Sequence, residues 1–107
     1  MGFNMQKLMK QAQKMQNDVA RVTEELKEKQ VEGVSGGGMV RAVANGAQDI
    51  ISISIDAEVI DPQDKEMLED LVLAAVREAL AASRELAAGE MGKVTGGMGM
   101  GLPGGMF

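Results

Sequence analysis

Apolar residues in the first quarter of the chain recur at Met5, Leu8, Ala12, Met15, Val19, Val22 and Leu26, with gaps alternating between three and four. A sustained period of 3.5 predicts a helix wound against a partner helix. Lys7, Lys10, Lys14 and Arg21 follow the same spacing, with Asn17 filling the missing step. At about 100° per residue this basic stripe points to roughly the opposite side of the helix from the apolar seam. Asn4 suits an N-cap, and Phe3 with Leu8 is expected to form a hydrophobic staple around it. No Gly or Pro interrupts the chain from there to Lys29. A rod of that length, about 39 Å at about 1.5 Å per residue, exceeds what so small a domain can cover. Part of it must project or pair with another chain.

The period changes after Gln30. A short β-branched run at Val31–Val34 is followed by the breaker Gly36-Gly37-Gly38, and Met39–Ala44 alternates modestly. Asn45-Gly46 is the strongest two-residue hairpin signal in the chain. Beyond it, Ile51, Ile53 and Ile55 line one face of a strand, with Ser52 and Ser54 on the other. The expectation is a three-stranded antiparallel meander with one buried face, either edge of which can pair across a dimer.

Asp61-Pro62 opens a second helix, Asp61 as N-cap, Pro62 at N1 and Asp64 in the place of a capping-box acid. Its apolar face is Leu68, Leu71, Val72, Ala75, Ala79, Ala82 and Leu86, rich enough in Ala to admit another element closely. Leu73 and Leu80 lie off that face and suggest a second contact surface, and Gly89 is the expected stop. Seven of the fourteen glycines fall between Gly92 and Gly105. The expected division is therefore a domain over residues 1–91 and a flexible Gly/Met-rich tail over 92–107.

Composition narrows the chemistry. The chain has two Phe, no Tyr, no Trp and no Cys, and ten Met. So thin a core on a long helix is most easily stabilised by oligomerising, and a dimer is expected. Without Cys there is no disulfide framework, and no apolar run reaches the roughly 18–20 residues of a membrane span. The expectation is a cytoplasmic chain.

Lack of His, Cys and Tyr removes most general bases and nucleophiles, so no enzyme is expected. The acids Asp61, Asp64, Glu66, Glu69 and Asp70 have no EF-hand spacing and read as capping and solvation. Gly36-Gly37-Gly38 lacks the Lys-Ser/Thr of a phosphate-binding loop and precedes a strand. No metal and no cofactor is expected.

The formal net charge is −5, but it is unevenly spread. Residues 1–21 carry four basic side chains and one acid, a net of +3. Residues 22–107 carry seven basic and fifteen acidic, a net of −8. Local charge governs local binding, so the first helix is a candidate anion contact. Composition alone reads its stripe as a solvated face, since the aromatics usual in single-strand binding are missing.

A resemblance adds to this. Leu8-Met9-Lys10-Gln11-Ala12-Gln13-Lys14-Met15-Gln16 is similar to the opening motif of the YbaB/EbfC family of bacterial nucleoid-associated proteins. Gly36–Val43 with Asn45-Gly46-Ala47, Ile53-Ser54-Ile55-Asp56, and Asp64–Val72 with Ala74-Ala75 resemble it too, in the same order. The resemblance implies an α+β fold with an α-β-β-β-α protomer. Its sheets would join in a homodimer whose helical arms protrude like tweezers. It further implies binding of double-stranded DNA with little sequence preference, association with the nucleoid and an influence on gene expression. By motif it carries Lys10 and Lys14 as DNA contacts, while Lys7 and Arg21 rest on the stripe, and Arg77 and Arg84 are weaker candidates. The rival from another class is a protein-interaction adaptor working with recombination or replication proteins.

Overall fold

In the computed structural model, which describes residues 4–99, helix α1 spans Met5–Glu28. Asn4 caps it, its side chain accepting from the Lys7 amide at 3.1 Å. Phe3, the other half of the expected staple, lies outside the described residues.

Three strands follow: β1 Gln30–Ser35, β2 Val40–Asn45 and β3 Ile50–Ile55, in the antiparallel order β1-β2-β3. Helix α2, Lys65–Gly99, closes the α-β-β-β-α order and lies across β1 and β2. The Cα radius of gyration is 20.2 Å, against about 13 Å for a compact chain of 100 residues. The excess is the two long helices.

The core is small because helix and sheet meet almost at backbone distance. Val40, Ala42 and Ala44 of β2 are buried against Ala75 and Ala79 of α2. A Cβ at Gly33 would collide with the main chain of Ala75 and Ala79. Only glycine fits there, and the expected Ala-rich close approach is found. Leu68, Leu71, Val72 and Val76 pack around this contact. Ser83, read as part of no face, is fully buried.

The hairpin forms at Asn45-Gly46, but not as a two-residue turn. Its loop runs from Gly46 to Asp49, closed by Asn45 N–H to the Asp49 carbonyl at 3.0 Å, and the positive φ falls on Gln48 at 69°. Asn45 Oδ1 accepts from the Ala47 and Asp49 amides and holds the loop. Gly46 is required for a different reason. A Cβ there would sit 2.8 Å from the Leu26 carbonyl oxygen, to which the Gly46 amide donates.

The expected buried face of the sheet stops short of β3. Ile53 pairs with Ala42 and Ile55 with Val40, so these isoleucines share the face that α2 covers on β2. Yet Ile51 is 50% exposed and Ile53 45%, because α2 lies over β1 and β2 and barely touches β3. An irregularity opposite Val43 and Ala44 adds a residue to β3 there.

The edges differ. The outward amide of Val34 on β1 donates to Glu78 Oε1 at 2.7 Å, and Ser35 Oγ donates to the Leu71 carbonyl at 2.6 Å. Among the described residues no side chain bonds to the backbone of β3.

Asp61 and Pro62 begin a single 3-10 turn, not the α-helix itself. Asp61 accepts from the Gln63 amide at 2.9 Å, and Asp64 accepts from Met67 one turn later. At the other end α2 does not stop at Gly89 but continues to Gly99. An interior glycine costs a helix only about 1 kcal/mol relative to Ala. Here the continuing turns lie beside the base of α1, where Val94 and Val22 line one cleft and the Glu90 carboxylate meets Lys29 at 3.3 Å. Residues 92–99 of the expected tail are therefore helical, and 100–107 lie outside the described residues.

Candidate nucleic-acid interface

The heptad predicted for α1 finds its partner within the chain only at its base. Val22 and Leu26 are buried, while Met5 and Leu8 are exposed. The last turns of α2 pass beside the base of α1, where Asp18, Val22 and Glu25 line a cleft with Glu90, Lys93 and Val94. The N-terminal half of α1 projects as an arm.

Lys7, Lys10, Lys14 and Arg21 all lie exposed along one side of that arm. They differ in what they touch. Lys14 Nζ is 3.2 Å from Asp18, and Arg21 reaches Glu25 at 3.2 Å and Asp18 at 3.8 Å. Lys7 and Lys10 have no ion pair among the described residues. The stripe is thus free cation at its outer end and mixed charge at its base. Exposed i,i+4 pairs contribute only about 0.3–0.5 kcal/mol each, so a phosphate can replace Asp18 or Glu25 at small cost.

Lys14 and Arg21 also line the cleft with α2. That brings Lys93 to the same region, a cation the sequence analysis missed because Gly89 was expected to end the helix. The Glu90–Lys93 spacing of three was the available signal. Glu90 accepts from Lys29 and Lys93, and these two ammonium groups hold its carboxyl below the ordinary value. Arg77 and Arg84 are exposed on the side of α2 opposite Ala75 and Ala79, without ion pairs among the described residues.

The other candidate chemistry dissolves into structure. Asp56, Asp61 and Asp64 each accept a main-chain amide as turn or helix caps. No cluster of three or more acidic side chains fit for a metal ion is found among the described residues. Among them, too, no helix is long and apolar enough to cross a membrane.

Beside the uncovered isoleucines of β3, two apolar grooves lie open among the described residues. One is a groove along α2 lined by Lys65, Leu68, Glu69, Val72, Leu73 and Val76, which makes Leu73 part of a second surface as its spacing suggests. The other lies on α1 and is lined by Ala12, Met15, Gln16, Val19 and Ala20.

Comparison with known proteins agrees with this architecture and adds identity. A nucleoid-associated protein of Caldanaerobacter subterraneus is 56% identical over 96 residues, covering 90% of this chain and 86% of that protein. A nucleoid-associated protein of Acetivibrio thermocellus is 57% identical over 103 residues, covering 96% and 90%. Among solved structures, an uncharacterized protein of Helicobacter pylori superposes with a TM-score of 0.72. At 23% identity, over 82% of this chain and 92% of that one, it supports the fold alone. The sequence profile of the YbaB/EbfC DNA-binding family matches residues 1–98, and the chain belongs to that family.

Proposed function

We propose that the chain binds double-stranded DNA as a homodimer, its α1 arms lying along the duplex so that Lys7, Lys10, Lys14 and Arg21 contact backbone phosphates. The observation that carries this is the pair Lys7 and Lys10, exposed and without ion pairs among the described residues, on the projecting arm of a DNA-binding family member. From Lys7 to Arg21 the arm extends about 21 Å, which follows several base-pair steps of about 3.4 Å. Phosphate contacts position a protein without reading bases, so little sequence preference is expected. The relatives' description as nucleoid-associated supports a place in the bacterial nucleoid, and with it an influence on nucleoid organisation and gene expression.

The homodimer is supported by the uneven edges of the sheet. On β1 the Val34 amide is taken by Glu78, while β3 presents Ile50, Ile51, Ile53 and Ile55 uncovered. A second β3, paired edge to edge, extends the sheet and buries those isoleucines.

Duplex binding measured by fluorescence anisotropy across salt tests the proposal. The wild type is expected to bind with a log–log salt slope no steeper than about −7, the limit for eight basic groups per dimer. The triple variant Lys7→Glu, Lys10→Glu, Lys14→Glu is expected to lose at least about 100-fold in affinity while keeping its mass in solution. Unchanged affinity in that variant removes the stripe from the mechanism and favours the adaptor role through the exposed apolar faces. A salt-independent wild-type signal overturns phosphate binding.

A further inference from the structure

The open half of the α1 seam has a charge pattern that its buried half lacks. In a heptad whose inner positions are Met5, Leu8, Ala12, Met15 and Val19, the flanking positions that look across at a partner helix are Asn4, Met9, Gln11, Gln16 and Asp18. Every one of these before Asp18 is uncharged. Lys7, Lys10 and Lys14 all occupy outer positions. The arm therefore has a neutral, Met-rich inner surface with nothing on it to repel a copy of itself, and the structure leaves that surface open.

Charge along the helix axis selects an orientation. Residues 4–14 hold three lysines and no acid, whereas 18–28 hold Asp18, Glu24, Glu25 and Glu28 against Arg21 and Lys27. Parallel pairing sets lysines beside lysines. Antiparallel pairing with Leu8 level with Val19 instead sets Lys7 and Lys10 of each arm beside residues 17–20 of the other, which hold Asp18 and no cation.

We propose that the open α1 seam pairs antiparallel with the α1 seam of a second copy, Leu8 of each against Val19 of the other and Ala12 against Met15. Each layer then places a smaller side chain against a larger one. The contact uses the side of α1 away from the basic stripe, so Lys7, Lys10 and Lys14 stay outward. It is distinct from the β3 edge and requires no DNA. About two heptads are too few to hold two free helices together. The pairing is therefore expected to be weak by itself and to gain strength where copies are concentrated on a common scaffold.

The cysteine-free chain permits a direct test. Leu8→Cys and Val19→Cys variants are mixed under mild oxidation without DNA, and the disulfide-linked products are identified by peptide mass. Gln13→Cys, on the opposite side of the helix, reports random collision. The mixed Leu8–Val19 product is expected at ten times or more the Gln13 level, and Ala12→Glu introduced into both variants is expected to return it to that level. Ala12 is exposed, so the change leaves the fold intact, which circular dichroism verifies. A mixed yield no higher than the Gln13 control overturns the proposal, and so does insensitivity to Ala12→Glu. A dominant Leu8–Leu8 product overturns the antiparallel arrangement.

Discussion

Ser83 Oγ, at the buried middle of α2, donates a 2.6 Å hydrogen bond to the main-chain carbonyl of Asn45 at the end of β2. The same Asn45 holds the hairpin loop through its side chain and reaches the Lys27 carbonyl at 3.4 Å. One polar residue thus fixes helix, sheet and arm base relative to one another. Ser83→Ala removes this donor and leaves the carbonyl only the Gln48 amide at 3.1 Å, a loss of about 0.5–1.5 kcal/mol. Chemical denaturation is expected to show that loss with an unchanged m-value, as for a change in stability alone.

Asp18 lies between Lys14 and Arg21 and pairs with both. Asp18→Asn frees two cations of the stripe and removes a negative charge from its base. If the stripe contacts phosphate, duplex affinity rises by roughly two- to fivefold at low salt, the equivalent of about 0.5–1 kcal/mol. The same anisotropy titration reads it, and a fall in affinity would count against phosphate contact at the base of the arm.

Ile53 is the test of the β3 edge. It is exposed in the protomer, so Ile53→Asp is expected to leave secondary structure unchanged. In a β3-paired dimer the same change buries charges at the interface and shifts the sedimentation mass to that of one chain. A variant that remains dimeric places the contact elsewhere.

Glu90 supplies a pH dependence. Its carboxyl titrates below its ordinary value of 4.5 because Lys29 and Lys93 donate to it. A group with a depressed folded-state value stabilises the fold above the unfolded value, and that stabilisation fades as pH falls through the folded one. The last turns of α2 are therefore expected to lose amide-exchange protection, measured against the intrinsic rate at each pH, as pH falls through the folded value. Glu90→Gln is expected to show that lower protection already at pH 7, with less change on acidification.

Much of this was legible in the residues, and the failures have particular causes. The heptad located α1, but spacing does not say how far a partner extends: Val22 and Leu26 are buried, Met15 and Val19 half-buried, and Met5 and Leu8 exposed. Ile51, Ile53 and Ile55 announced a strand with one apolar face. Their exposure follows from where α2 crosses the sheet, which strand alternation does not encode. Asn45-Gly46 marked the hairpin correctly, although Gly46 is needed for its contact with Leu26 and not for the turn. Gly89 was misleading because a glycine ends a helix only where the chain has no tertiary reason to continue, and the contacts with the base of α1 provide one. The ion pairs at the base of the stripe were visible in the i,i+4 spacing of Lys14 with Asp18 and of Arg21 with Glu25. The freedom of Lys7 and Lys10 was equally visible, in the absence of any acid before Asp18.

The Glu78 carboxylate on the Val34 amide has a consequence for how this sheet can fail. A meander with two open edges can template a strand on each side, and each newcomer can do the same, which is the geometry of a fibril. With the Val34 amide taken, the β1 edge is a poorer template than β3, and two chains joined at β3 would have consumed each other's better growing end. One glutamate thereby tilts strand addition toward a pairing that ends itself, in a chain whose β3 edge is apolar enough to be an aggregation hazard.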